Sequence, residues 1–134
     1  MLNAFPTLLT YGLAGALVLR IALGGIFLMA GYLKIFRRRE ATVSLFSDAG
    51  FPAPVFFAWF VGLTELLGGL ALIAGFGTQI AAAVIALISL GGLIIKIRRP
   101  ELLRQTADFY IFALAIALSL MLTGAGFLAF DLPL

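Results

Sequence analysis

Three charged residues stand inside apolar stretches where charge is expensive. Arg20 lies in LVLRIALGG (Leu17 to Gly25), Glu65 in GLTELLGG (Gly62 to Gly69) and Asp108 in TADFYIF (Thr106 to Phe112). Lys34 stands near the end of the first apolar run. An unpaired charge at the centre of a bilayer costs at least about 2.5–3.5 kcal/mol, so intramembrane charges are expected to find partners. The depths of Arg20 and Glu65 predict a pair between them, bidentate if the geometry allows. Lys34 and Asp108 could form a second pair near the same edge, or Lys34 could snorkel unaided to the interface. Two chemistries follow. Arg20 and Glu65, with Thr64 beside them, could bind a quinone carbonyl or pass it a proton. Alternatively the charges are a structural ion pair that fixes which helices pack together, as a buried polar residue sets register in a coiled coil.

Other chemistries are excluded by composition. The chain has no cysteine and no histidine. That removes thiol redox, thiolate ligands and the commonest metal and proton-relay side chain. Met29 and Met121 could ligate a soft metal, but on apolar helices they read as packing residues. No metal is expected, and no catalysis by this chain alone.

The elements that must position these residues are membrane helices. The chain of 134 residues is 63% hydrophobic and 11% charged, against about 45–50% and about 25% in soluble domains. Its mean hydropathy is +1.19. Four apolar runs are predicted to span the bilayer, at about 8–36, 54–75, 78–97 and 102–127. Each is close to or above the length needed to cross the hydrocarbon, and a span with no water to satisfy its backbone must be helical. Pro54 suits a first helical turn, Pro100 does the same for the fourth run, and Thr78 is the expected N-cap of the third. Residues 40–50 are too short and polar to span and are expected to lie at the interface. The reading is an all-α integral membrane four-helix bundle, a single domain over 1–134. The N-terminal segment has no basic residue, so no cleavable signal is expected.

Nine Lys and Arg set the orientation. Lys34, Arg37, Arg38 and Arg39 flank the first connection; Lys96, Arg98, Arg99 and Arg104 flank the third; Arg20 is the ninth. The positive-inside rule puts both connections in the cytoplasm and both termini on the non-cytoplasmic side. A pI of 9.8 would suit a nucleic-acid partner, but the charge is confined to one membrane edge, so none is expected. GGIFLMAG (Gly24 to Gly31) and GGLALIAG (Gly68 to Gly75) echo one another, and small residues spaced along helices permit close backbone contact.

RIALGGIFLMAGYLKIF (Arg20 to Phe36), GFPAP (Gly50 to Pro54), ELLGGLALIAGFGT (Glu65 to Thr78) and GAGFLAFDL (Gly124 to Leu132) together resemble the DoxX family of small four-helix membrane proteins. The marks that carry the resemblance are Arg20, Gly24, Gly31, Lys34, Pro52, Glu65, Gly69, Gly75, Asp108 and Asp131. The tail departs from it, with AFD (Ala129 to Asp131) where the family often has a serine before the final acidic residue. The family is named for a subunit associated with thiosulfate:quinone oxidoreductase. The resemblance therefore implies a redox neighbourhood in a prokaryotic cytoplasmic (inner) membrane, with lipid and other membrane subunits as partners. The expected role is an accessory, stabilising subunit of a redox or energy-converting complex. The alternative is a quinone-interacting subunit, with quinone the one cofactor in view and none intrinsic; a small transporter is the weakest reading.

Overall fold

The computed structural model describes residues 11–131. Helix α1 covers Gly12–Tyr32 and runs on into a π-helical turn, Leu33–Arg37. Then come α2 (Arg39–Asp48), α3 (Pro54–Ala74), α4 (Thr78–Arg98) and α5 (Ala107–Thr123). Every regular element among the described residues is helical. Three stretches, α1 with its π turn, α3 and α4, are long and apolar enough to cross a membrane; α5 is apolar but has 17 residues.

The boundaries have local causes. Pro54 opens α3, where its missing N–H and fixed φ cost nothing. Gly75, with φ 71°, closes α3 in the left-handed conformation that glycine adopts without strain. The fourth apolar run yields a shorter helix than its expected span of 102–127. Residues 100–105 form a turn instead, held by the Lys96 ammonium, which donates to the carbonyls of Pro100 and Leu103 at 2.8 Å each. Thr106 then caps α5 through its hydroxyl, and Gly124 ends it at φ 78°. The expected interfacial segment forms α2, which buries Thr42 and Phe46. Phe46, Phe51 and Phe57 pack as a cluster at ring separations of 4.8–6.2 Å, and the Arg39 guanidinium lies over Trp59 at 5.1 Å. These contacts hold α2 across the start of α3.

The bundle is two antiparallel pairs, α1 on α3 and α4 on α5, joined along α3–α4 and α1–α5. Glycine sets the first seam. A Cβ added at Gly31 would stand 2.6 Å from the Gly62 carbonyl oxygen, and one added at Gly69 would stand 2.6 Å from that of Gly24. Gly24 and Gly31 thus face Gly69 and Gly62, seven residues apart on each helix, so this reciprocal set replaces the echo legible in sequence. Small buried side chains, Ala81, Ala82 and Ala86 on α4 and Ala113 and Ala117 on α5, belong to the same core. The core closes with Leu23, Phe27, Leu72, Ile85 and Leu120. One end of the bundle carries the α3–α4 hairpin and residues 124–131, and is called the hairpin end below. The other, the basic end, carries the π turn, α2 and the α4–α5 turn.

A candidate site in two polar clusters

The interior charges do not form the expected Arg20–Glu65 pair. Arg20, 1% exposed, donates from Nη1 to the carbonyl of Ala125 at 2.8 Å and from Nη2 to that of Leu128 at 2.9 Å. Glu65 Oε1 instead accepts from the Lys34 ammonium at 2.5 Å.

Helix geometry explains the difference. The glycine register sets Glu65 level with Leu28 on α1, about 12 Å along the axis from Arg20. Side chains on a helix also lean toward its N-terminus. On antiparallel neighbours, Arg20 therefore leans to the hairpin end and Glu65 to the basic end, away from each other. Lys34 leans back toward Glu65 from the opposite side, so the same rule brings those two together. Gly62 lets them approach, since a side chain there would run into Ile35 and the Lys34 Cβ. Lys34 itself stands in the π turn, a widened helical turn of the kind often found at functional sites.

The expected Lys34–Asp108 pair does not form either; the Lys34 ammonium is engaged by Glu65. Asp108 is exposed in the first turn of α5, where the helix dipole favours a carboxylate. Thr64 returns its hydroxyl to the Phe60 carbonyl and lines a shallow apolar groove between α3 and α4. One position round the helix from Glu65, it does not join that carboxylate.

At the hairpin end the tail closes over Arg20. The Phe127 amide donates to Leu13 O at 3.1 Å and that of Asp131 to Gly75 O at 2.9 Å. The Asp131 carboxylate accepts from the Gly77 amide at 2.7 Å and the Thr78 amide at 2.6 Å, capping α4. Thr78, expected as the N-cap, is instead the first helical residue; Gly77 takes the cap position and the capping oxygens come from Asp131. Partial loss of water favours the protonated carboxyl of Asp131. The Thr78 and Gly77 contacts and the Arg20 charge outweigh that, holding its pKa below the ordinary value. Gly75 has a second reason to be glycine, since a Cβ there would meet Arg20 Nη1. Leu128, whose carbonyl Arg20 holds, has φ 50°, a strained setting for leucine.

Among the described residues, four buried side-chain atoms have no hydrogen-bond partner: Arg20 Nε, Glu65 Oε2, Thr78 Oγ1 and Ser89 Oγ. Ser89, on α4 and 0% exposed, was not singled out by sequence. A serine in an apolar helix carries little signal by itself; the register that brings it opposite α3 supplies the rest.

Described residues that are all-helical, with three membrane-length apolar helices and a carboxylate–ammonium pair among them, define an integral membrane protein with a polar interior. It belongs to the DoxX family, whose model matches residues 15–96. A relative from Bacillus subtilis (strain 168), named "Putative oxidoreductase CatD", is 35% identical over 118 residues, covering 87% of this chain and 84% of the relative. No solved structure matches.

Proposed function

We propose that this protein is an accessory, stabilising subunit of a redox complex in a prokaryotic cytoplasmic membrane. On this reading α5 is a fourth span, tilted little or in thinned lipid, and 1–134 is one domain. The eight basic residues of the basic end face the cytoplasm, and both termini face the other side. The observation that supports it is the engagement of the interior charges. Arg20 is taken up by the chain's own tail and Lys34 by Glu65, in a sequence with no thiol or imidazole. Electrons would then be handled by a partner, in keeping with the oxidoreductase name of the relative. Deleting the gene should lower the yield or stability of a larger complex that co-purifies with this chain from native membranes. A complex that assembles and turns over normally without it overturns the proposal.

One observation favours a second reading, in which the subunit also meets a quinone. Glu65 Oε2 is buried and unpartnered beside an ammonium. Such a pair suits both redox forms of the ligand: Lys34 could donate to a quinone carbonyl, and Oε2 could accept from a quinol hydroxyl. Arg20 and Thr64, first grouped with Glu65 for this role, are engaged elsewhere. Glu65→Gln should lower quinone-dependent turnover while the complex still assembles. Loss of assembly with no separate kinetic defect leaves only the accessory role.

A further inference from the structure

Two of the unpartnered buried atoms, Glu65 Oε2 and Ser89 Oγ, come from different helices and meet at one level of the bundle. The α3–α4 seam fixes that level. A Cβ at Gly68 would stand 3.4 Å from Ile85 Cγ1, so those two positions face each other. Glu65 lies three residues before Gly68 and Ser89 four residues after Ile85. On antiparallel helices both displacements run toward the basic end, by about 4.5 and about 6 Å. Ser89 is one turn on from Ile85 and so shares its face toward α3. One turn farther, Gly92 carries the ring of Tyr110 from α5 against it, within range of the Glu65 charge.

Leaving a buried carboxylate oxygen and a buried hydroxyl both unpaired would cost each its full desolvation. A serine in an apolar helix ordinarily returns its hydroxyl to the carbonyl four residues back, as Thr64 and Thr123 do here. Ser89 does not. A water needs two to four polar partners to occupy an interior site, and a carboxylate oxygen and a hydroxyl at one level of the seam can provide the first two.

We propose that Glu65 Oε2 and Ser89 Oγ are joined by buried water, forming a hydration site on the α3–α4 seam with Tyr110 at its edge. Water donates to Oε2, and the Ser89 hydroxyl completes the water's bonding. The groups facing Glu65 are then Lys34 from the π turn, Tyr110 from α5 and Ser89 from α4. Oε1 stays on Lys34, so Oε2 is the oxygen left to the water. Toward the hairpin end the site is closed by Leu72 and Ile85, each 0% exposed. Toward the basic end it adjoins Lys34, whose side chain is 33% exposed. The site stands whether or not a quinone binds.

Infrared difference spectroscopy on the full chain in lipid nanodiscs tests it. Subtracting the Glu65→Gln spectrum isolates the Glu65 band, and exchange into 18O-water marks bound water. The wild-type protein should show a water O–H band that shifts with 18O and is lost in Glu65→Gln. Ser89→Ala should lose the same band and displace the Glu65 band; Ser89→Thr, which keeps the hydroxyl, should retain both. If Ser89→Ala fails to fold, Ser89→Cys keeps the volume with a weaker donor and should weaken the water band. An isotope-sensitive band that survives removal of the Ser89 hydroxyl, or a Glu65 band that does not move, overturns the proposal. So does the absence of any such band in the wild-type protein.

Discussion

Gly31→Ala and Gly69→Ala should be costly singly and much less than additive together. Each added methyl would stand 2.6 Å from a carbonyl oxygen of the facing helix, about 0.8 Å inside ordinary van der Waals contact. Backbone atoms cannot swing aside as a flexible side chain can, so α1 and α3 must separate. Overpacking of this kind costs about 1–3 kcal/mol. The two sites are seven residues apart on each helix, about 10.5 Å. Over that length helices behave as rods, and separation forced at one site relieves much of the clash at the other. The double variant should therefore cost about as much as the worse single one, with a coupling of about 1–2 kcal/mol. Reversible unfolding of the four proteins of the cycle, in one detergent or bicelle, measures this. Two singles within about 0.5 kcal/mol of wild type, or a double equal to their sum, refutes the close glycine seam.

Other expectations follow from the polar clusters. Arg20→Met removes two charge-assisted hydrogen bonds to the tail, each about 1.5–3 kcal/mol before the relief of burying one charge fewer; cleavage by chymotrypsin at Phe127 and Phe130 should rise, and unchanged cleavage counts against the clasp. Asp131 has a lowered pKa, so its support of the docked tail is complete above the ordinary aspartate value of about 3.9. That support fades as pH falls through the ordinary value toward the lowered one. Tail cleavage by an acid-active protease should rise over that range in wild type, while Asp131→Asn should be cleaved readily with no such step. Lys34→Met strands the Glu65 carboxylate and should cost about 1–3 kcal/mol, less than a fully buried pair because Lys34 is partly exposed. Adding Glu65→Met should recover most of that in the same unfolding assay, and a double variant worse than the single contradicts it.

The helices were legible because their causes are local. Membrane-length apolar runs and Pro54 at the start of α3 can be read from neighbouring residues, whereas the capping oxygens of α4 come from Asp131, 53 positions past Thr78. The shorter α5 was not, because it depends on Lys96 reaching over a turn to two carbonyls. The sequence reading that Arg20, Glu65 and Lys34 find partners holds, that for Asp108 does not, and Arg20 and Glu65 match in depth alone. Depth is scalar, whereas side chains leave a helix in a direction. Adding that direction turns Arg20 toward the tail and Glu65 toward Lys34. The Arg20 partners remained out of reach of pattern reading for another reason: they are main-chain carbonyls of residues 125 and 128, which any residue type could supply. Ser89 is legible only after the α3–α4 register is known.

The clasp on Arg20 also has a chronology. Arg20 belongs to α1, while its acceptors at Ala125 and Leu128 come 105 and 108 residues later. At about 5–20 residues per second, synthesis leaves an interval of roughly 5–20 s in which that guanidinium has neither acceptor. Until the tail crosses to the hairpin end and folds over it, the nascent chain carries an unsatisfied cation in a helix bound for lipid. A chain that stops short of Ala125 would carry it permanently. Arg20 thus marks an unfinished molecule, and its silence marks a finished one.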